Sequence, residues 1–455
     1  MFKTKLFNET YEFKDVKDVM NRASSIRQGD ILYERAARSN QERVAAKAVL
    51  ANMTLKDVYE NPAAPYEKDE ITRLIQDQVN TNIYDKIKNK TFAEYREWLL
   101  DLKTRPDEII ASTKGMTSEM VAALAKIMSN LDLAYVCSRI HTPKHCNTWV
   151  GEGDEMACRL QPNDSRDDLD AIEAVTLEGL AFGCGDAMVA INPVEDNVSH
   201  LMTMYDRINS VCRNLEVPTQ TCILSHVTTQ MKCAEEGADV DMIFQSLGGS
   251  EGTNETFGIN VAMIDEAKDI MDHKSSSGGP NRLYFETGEG TEDSANAAWN
   301  TDQATMESRC YGFARRYDPF LIDTVLGFLG AEYIYDRQQH LRCGIENMFC
   351  AKMQEINIGQ DSCYVVSMDM QQNDNENTAM ILTLAGSQFL IAIPQGDDPM
   401  LMYQSIGFHD VAALREISGK KPAPEFLKWM EKWGLWRDGH VTDRIGDASI
   451  FMTRV

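Results

Sequence analysis

Polar residues lie at the ends of several short apolar runs in this chain, and their types suit a small, positively charged ligand. In chain order, these residues and one aromatic neighbour are Arg159, Gln161, Asn192, His226, Gln245, Glu286, Phe328 and Asp361. The set contains one permanent cation, two carboxylates and several amides. A carboxylate in such a place can act as a base, a cation binder or a metal ligand. If the run ends meet in space, they predict a site for a small polar cation.

The clearest of these motifs is L-Y-F-E-T-G-E-G, at residues 283–290. Glu286 closes an apolar stretch, and a glycine-rich loop follows it. This position makes Glu286 the strongest candidate for a functional carboxylate, with a structural role as the alternative. Asp361, which follows E-I-N-I-G-Q, is the second candidate carboxylate.

Arg159 and Gln161 belong to the motif R-L-Q-P-N-D at residues 159–164. Side chains alternate along a strand, so these two point to the same face. Two polar groups on an inward face need partners, which favours a functional role, although a structural ion pair stays open for Arg159. Asn192, in A-I-N-P-V, either contacts a ligand or simply makes a turn. His226 ends C-I-L-S-H, where a lone histidine is more often a core or loop residue.

The elements that must position these residues read as strands alternating with helices. The apolar runs lie at 156–161, 186–192, 219–226, 241–247, 282–286, 321–329, 355–361 and 388–394. Eight such alternations predict an α/β fold, a (β/α)8 TIM-type barrel. Such barrels build their sites at the carboxyl ends of the strands, where the polar residues above are expected. We expect the last barrel helix at 399–408.

Regions flanking the barrel have different patterns. Residues 1–153 are predicted to be a mainly helical region, 154–414 the barrel, and 415–455 a short C-terminal extension. Thr91 with Glu94 three residues later is typical of a capping box at a helix start. The N-terminal helices would either cap one end of the barrel or make subunit contacts, and the pattern does not choose between these.

The composition disfavours some classes of partner and also indicates the state of the cysteines and the location of the protein. The 455 residues include 70 acidic and 45 basic ones, a net charge of −25, which disfavours nucleic acid and anionic lipid. The eleven cysteines form no C-x-x-C motif, which is typical of reduced thiols rather than disulfides or zinc. Neither an apolar leader nor a membrane-spanning apolar run is found, so a cytoplasmic protein is expected.

Missing motifs narrow the chemistry further. No H-x-H occurs at the first strand, which disfavours the usual metal-dependent hydrolase barrel, and no metal site is predicted. No strand ends in lysine, so Schiff-base aldolase chemistry is not expected. Neither G-x-G-x-x-G nor G-x-x-x-x-G-K-[ST] follows a strand, so nucleotide binding of those types has no support.

The chain resembles the large (heavy) subunit of ethanolamine ammonia-lyase, nearly from end to end. The resemblance rests on S-N-Q-E-R-V-A-A-K, T-R-L-I-Q-D, R-L-Q-P-N-D, P-T-Q-T-C-I-L-S-H-V-T-T-Q, I-F-Q-S, L-Y-F-E-T-G-E-G, Y-D-P-F and G-D-D-P-M-L-M-Y-Q. It implies adenosylcobalamin-dependent radical deamination of ethanolamine to acetaldehyde and ammonia. A small partner subunit, a hexamer of heterodimers and residence in a bacterial microcompartment are further implications.

Residue roles follow from the same resemblance. Implied catalytic residues are Glu286, Arg159 and Asp361. Implied substrate contacts are Arg159, Gln161, Asn192, Glu286, Phe328, Asp361 and Leu401. Implied cobalamin contacts are Pro193, Gln245, Ser294 and Met400. The loop after Glu286 departs from the family in its acidic residues Glu289, Glu292 and Asp293, which could alter the contacts of Ser294.

Two other readings stay open at this stage. One is a metal-dependent TIM-barrel lyase or hydrolase that acts on a small polar amine and uses Glu286 as a base. It requires clustered histidine and aspartate ligands. The other is a non-catalytic assembly subunit, which would not need several polar residues that converge inside a barrel.

Overall fold

Eight parallel strands form the centre of the molecule. The structure is a computed structural model that describes residues 1–6 and 8–452. The barrel strands are β1 (Ala157–Leu160), β2 (Met188–Ile191), β3 (Thr221–Ile223), β4 (Ile243–Ser246), β5 (Leu283–Gly288), β6 (Leu321–Val325), β7 (Ile358–Asp361) and β8 (Phe389–Ile393). Each overlaps one of the eight predicted runs, so the predicted fold class is confirmed.

Strand pairing follows the order β3-β2-β1-β8-β7-β6-β5-β4, and the pairing of β8 with β1 brings the two halves of the chain together. In the part of the chain that the structure describes, no ladder joins β3 to β4. Gln230, from the helix after β3, lies in the gap between β3 and β4, which we call the seam. Its side chain accepts a hydrogen bond from the Phe244 amide at 2.9 Å and donates to the Phe244 carbonyl at 2.9 Å. The seam is thus closed by a buried side chain, which satisfies backbone groups that a neighbouring strand would otherwise pair.

Helices surround the barrel and separate successive strands. They are Leu169–Ala181, Val198–Asn214, Val227–Glu235, Glu251–Thr256, Val261–Lys274, Thr291–Ser294, Gln303–Ala314, Arg337–Lys352, Gln372–Ala385 and Phe408–Ser418. The helix expected at 399–408 is wrong, since the last barrel helix is Phe408–Ser418. Residues 397–405 form a loop instead, because the Asp398 carboxylate accepts the amides of Met400 and Leu401 and turns the backbone.

The region before the barrel contains both helices and strands. Its helices are Val16–Ala23, Gln28–Leu32, Asn40–Asn52, Leu55–Tyr59, Glu70–Asp77, Thr81–Ile87, Phe92–Leu100, Pro106–Thr113, Ser118–Ile127 and Asn130–Arg139. An antiparallel hairpin of Phe2–Leu6 and Glu9–Phe13 precedes them and was not predicted. The capping box of Thr91 and Glu94 is confirmed. Short ribbons pair Lys144–His145 with Trp149–Val150 and Trp436–Arg437 with His440–Val441, and the helix Pro424–Trp433 follows the barrel.

Three further sequence expectations can be compared with the fold. The division at residues 153 and 414 stays a prediction; the last barrel helix, Phe408–Ser418, runs across the second boundary. All eleven cysteines are buried and free. Across residues 1–6 and 8–452, none of the helices combines the length and apolar character that crossing a bilayer requires.

Candidate functional site at the carboxyl end of the barrel

Arg159 lies at the centre of a buried polar cluster inside the barrel. It is 1% exposed and projects from β1. One terminal nitrogen donates to Gln161 Oε1 at 2.7 Å, and the other donates to the Tyr284 hydroxyl at 2.7 Å. The predicted common face of Arg159 and Gln161 is therefore confirmed.

Two carboxylates share this guanidinium. Arg159 Nη1 lies 4.0 Å from Glu286 Oε2 and 3.8 Å from Asp323 Oδ2. Glu286 and Asp323 are register partners on β5 and β6, so they stand side by side. The Glu286 side chain keeps 27% of its surface exposed, whereas that of Asp323 is fully buried. Tyr284, two residues before Glu286 on the same face, donates its hydroxyl to Asp323.

Asp361 forms a second carboxylate position at the end of β7. It is 3% exposed, and the Ser405 hydroxyl donates to its Oδ1 at 2.6 Å. Tyr403 links this position to β1, because its hydroxyl accepts from Gln161 Nε2 at 2.9 Å. The Phe328 ring packs edge-on against Tyr403, with ring centres 5.6 Å apart. The structure thus brings Asp361 and Phe328 into the same cluster as Arg159.

The loop at 397–405 is attached to the cluster through Asp398. One Asp398 oxygen accepts from Gln161 Nε2 at 2.9 Å and from Asn163 Nδ2 at 2.8 Å. The other accepts the amides of Met400 and Leu401 at 2.8 and 2.6 Å. The buried Asp398 carboxylate therefore positions Met400 and Leu401, the two residues of this loop that are implied ligand contacts. It is also bonded to Gln161, an implied substrate contact.

Asn192 and Pro193 lie at the end of β2, next to this assembly. Both are half-buried. The backbone amide of Asn192 donates to Asn163 Oδ1 at 2.8 Å, and the Asn163 side chain in turn donates to Asp398. Asn192 is therefore connected to Gln161 through two side chains.

Gln245 and Ser294 are bonded to neighbouring loops rather than to the central cluster. Gln245 accepts the Val227 amide at 3.1 Å, and the exposed Ser294 hydroxyl donates to the Tyr333 hydroxyl at 2.8 Å. His226 caps the helix Val227–Glu235, and its Nε2 lies 3.1 Å from the Phe257 carbonyl. These contacts give His226 a structural role, which is the outcome that the sequence favoured.

The acidic residues after Glu286 are bonded to partners outside the central cluster. Glu289 pairs with the buried Arg27 at 2.8 Å, and Asp293 pairs with Arg35. The Glu292 carboxylate accepts the Gly249 amide at 2.7 Å. The N-terminal helical region therefore holds this loop, and its acidic side chains are engaged away from Ser294.

The cluster contains more negative than positive groups. Four carboxylates (Glu286, Asp323, Asp361 and Asp398) surround one guanidinium. Burial raises the pKa of Glu286, and it raises that of Asp361 to about 6. For Asp323, burial is the largest cause of a raised pKa, and the neighbouring Glu286 is the second. An added cation would stabilise the ionised forms of these groups, so the cluster suits a positively charged ligand.

The residues that the sequence missed are Tyr284, Asp323, Asp398, Tyr403 and Ser405. Two of them carried a signal: Tyr284 shares the face of Glu286 by alternation, and Asp323 interrupts the apolar strand L-I-D-T-V. The described residues contain no group of three or more histidines, cysteines or carboxylates arranged for a metal ion.

The family profile and the similar sequences agree on one family. The profile described as "Ethanolamine ammonia lyase large subunit (EutB)" matches residues 11–444. The chain is 47% identical over 449 residues to the "Ethanolamine ammonia-lyase large subunit" of Salmonella typhimurium strain LT2, with 99% of each chain covered. The protein of the same name from Escherichia coli strain K12 gives the same identity and coverage. A solved aldolase from Thermotoga maritima, 11% identical with a TM-score of 0.38 over 62% of this chain and 76% of that one, supports no conclusion.

Proposed function

Since this chain belongs to the ethanolamine ammonia-lyase large-subunit family, we propose that it binds ethanolamine and adenosylcobalamin at the barrel mouth. It is a carbon–nitrogen lyase that converts ethanolamine to acetaldehyde and ammonia. The alternative of a metal-dependent barrel enzyme has no support from the family or from the site.

The observation that carries the substrate assignment is the excess of carboxylates around Arg159. Ethanolamine carries an ammonium group at one end and a hydroxyl group at the other. Glu286, whose side chain is 27% exposed, accepts a hydrogen bond from the ammonium. Asp361 adds a second negative charge two strands away, on β7. A charge-assisted hydrogen bond of this kind is stronger than a neutral one.

The oxygen end of the substrate requires donors. Arg159 supplies a permanent cation, and Gln161 and Asn192 supply amides. Because all three are held by neighbours before the ligand arrives, little reorganisation accompanies binding. Phe328 and Leu401 form the apolar wall that limits the access of water to the reacting carbons.

The chemistry of the mouth fits a corrin cofactor. The rim residues proposed to face the cofactor are uncharged: the amide of Gln245, the hydroxyl of Ser294 and the thioether of Met400. Apolar side chains are exposed around it, including Val194 at 51% and Met402 at 80%. Large exposed apolar patches usually mark binding surfaces. Pro193, Gln245, Ser294 and Met400 would hold adenosylcobalamin across this rim.

Adenosylcobalamin, held by Pro193, Gln245, Ser294 and Met400, would supply the radical chemistry of the reaction. The residues of this chain orient the substrate and exclude water from it. Glu286 and Asp361 hold the migrating amino group, while Arg159 stabilises charge that develops on the oxygen. The catalytic roles of these three residues are thus electrostatic.

The remaining assignments concern assembly and location. A large subunit implies a small one, and we propose that it covers the exposed apolar rim and completes the cofactor site. A hexamer of such heterodimers is the expected assembly. The complex is proposed to lie in the cytoplasm, within a bacterial microcompartment.

The decisive experiment measures acetaldehyde release from ethanolamine by the purified complex of both subunits with adenosylcobalamin. Turnover is expected with both subunits and this cofactor. Cyanocobalamin, which lacks the adenosyl group, is the matched control and should give none. Turnover by the large subunit alone, or without cofactor, would contradict the proposal.

A further inference from the structure

We propose that Asp323 is the counter-ion of Arg159 in the substrate complex and thereby leaves Glu286 free to bind the substrate ammonium. Asp323 is a positioning residue in this role, because it acts through Arg159 and Tyr284. The inference rests on the proposed site for ethanolamine and deepens it.

The geometry separates the two carboxylates that face Arg159. Asp323 Oδ1 is fixed by the Tyr284 hydroxyl, which also accepts from Arg159. Its other oxygen, Oδ2, has no hydrogen-bond partner among the described residues and lies 3.8 Å from Arg159 Nη1. This oxygen is directed at the guanidinium and lies out of reach of solvent. Both oxygens of Asp323 thus face Tyr284 and Arg159 in the buried part of the site.

The Glu286 carboxylate, in contrast, is partly exposed and weakly held. Its carboxylate lies at a similar distance from Arg159, 4.0 Å, but is 27% exposed. Its one hydrogen bond from a side chain in the described part of the chain is a long one, from the Ser246 hydroxyl at 3.3 Å. A carboxylate with open coordination near the mouth can accept a ligand without breaking a strong contact.

Charge balance explains why two carboxylates are needed. Arg159 is buried, and a buried cation without a counter-ion is strongly unfavourable. If Glu286 were its only partner, an arriving ammonium would have to compete with the guanidinium for the same oxygens. With Asp323 in place, Glu286 can turn to the ammonium while Arg159 stays compensated.

Substrate binding also favours the ionised form of Asp323 that this role requires. The groups that face Asp323 are Glu286, Arg159, Tyr284 and Asp361. Its pKa is raised first by burial and then by the negative charge of Glu286. An ammonium beside Glu286 cancels the second effect, so the bound complex stabilises an ionised Asp323.

The test compares a charged and a neutral ligand in the variant Asp323→Asn. Asparagine mimics the neutral acid in shape. Dissociation constants for ethanolamine and for ethylene glycol, its neutral analogue, are measured by calorimetry on the complete two-subunit complex loaded with cyanocobalamin, which prevents turnover. We expect ethanolamine binding to weaken by about tenfold or more, while ethylene glycol changes by less than about threefold.

Two further variants control for general effects. Glu307→Gln removes a buried carboxylate from the helix behind the same strands, where it accepts from Thr324, the neighbour of Asp323, at 3.0 Å. It should alter neither dissociation constant. Tyr284→Phe removes the hydroxyl but keeps the charge of Asp323, so it should weaken ethanolamine binding less than Asp323→Asn does.

Several outcomes would overturn the inference. Unchanged ethanolamine binding in Asp323→Asn would mean that Asp323 is neutral in the complex. Equal weakening of both ligands would mean that it only supports the fold. If that variant does not fold, Tyr284→Phe decides, and equal weakening of both ligands again refutes the role. Absence of acetaldehyde release by the wild-type complex would refute the proposed function, a failure that the binding comparison does not share.

Discussion

Replacing Glu286 with glutamine tests the substrate assignment most directly. The change keeps the size of the side chain and removes its charge. Glu286 lies 4.0 Å from Arg159 and accepts one hydrogen bond from Ser246. Arg159 keeps its contacts with Gln161, Tyr284 and Asp323 in the variant. The perturbation is therefore confined to the charge that is offered to the ligand.

The size of the effect follows from this environment. A hydrogen bond to a charged group contributes roughly 1.5–3 kcal/mol, which corresponds to about a ten- to hundredfold loss of kcat/KM. Because 27% of the Glu286 side chain is exposed, we expect the loss of kcat/KM to lie in the lower part of this range. Folding should not suffer. The pKa of Glu286 is raised in the folded chain, so above that pKa its ionised form opposes folding.

The assay couples acetaldehyde formation to alcohol dehydrogenase, and thermal unfolding of the same preparations is followed by calorimetry. Glu286→Gln should lose activity and keep its melting temperature. Ser246→Ala, which removes only the 3.3 Å hydrogen bond, is the matched control and should change kcat/KM by less than about threefold. Wild-type kinetics in Glu286→Gln, or a variant that fails to fold, would refute the assignment.

Three further predictions concern neighbouring parts of the molecule. Since burial raises the pKa of Asp361 to about 6, kcat/KM should fall as the pH drops through about 6 and Asp361 loses its charge; Asp361→Asn should abolish this acid limb, and an unchanged limb contradicts the cause. Asp398→Asn puts an amide donor against Gln161, so KM should rise about tenfold and the melting temperature should fall, whereas unchanged kinetics would refute the positioning role. Gln230→Leu should lower the free energy of unfolding in urea by about 2–4 kcal/mol, because it strands the backbone groups of Phe244; equal stability would show that the seam closes without it.

The sequence predicted the barrel because its strands are short and their ends are marked. Apolar runs bounded by polar or glycine residues specify strands, and eight of them allow few topologies. Alternation along β1 and into the residue after it also placed Arg159 and Gln161 on one face, and their contact confirms it. Local rules sufficed wherever the decisive contacts were close in sequence.

Contacts between distant segments could not be predicted in this way. The loop at 397–405 was expected to be helical, since its composition allows a helix. Asp398 instead accepts a hydrogen bond from Gln161, which lies 237 residues earlier at the end of the neighbouring strand β1, and that tertiary contact overrides the local preference. Tyr403 and Ser405 reach the cluster only because this loop is held there. The seam between β3 and β4 was missed for the same reason, because Gln230 satisfies it from a helix.

The acidic loop after Glu286 shows how the flanking region contributes to the site. Arg27 is buried and bonds both Glu289 and Glu346, so one arginine joins the loop to the helix Arg337–Lys352. Buried ion pairs of this kind are costly to break from one side, because the remaining charge stays buried. The loop that presents Ser294 is therefore fixed from behind, with its acidic side chains engaged. The extra negative charges thus hold the loop in place and add nothing to the charge inside the barrel, where Glu286, Asp323 and Asp361 already set the preference for a cation.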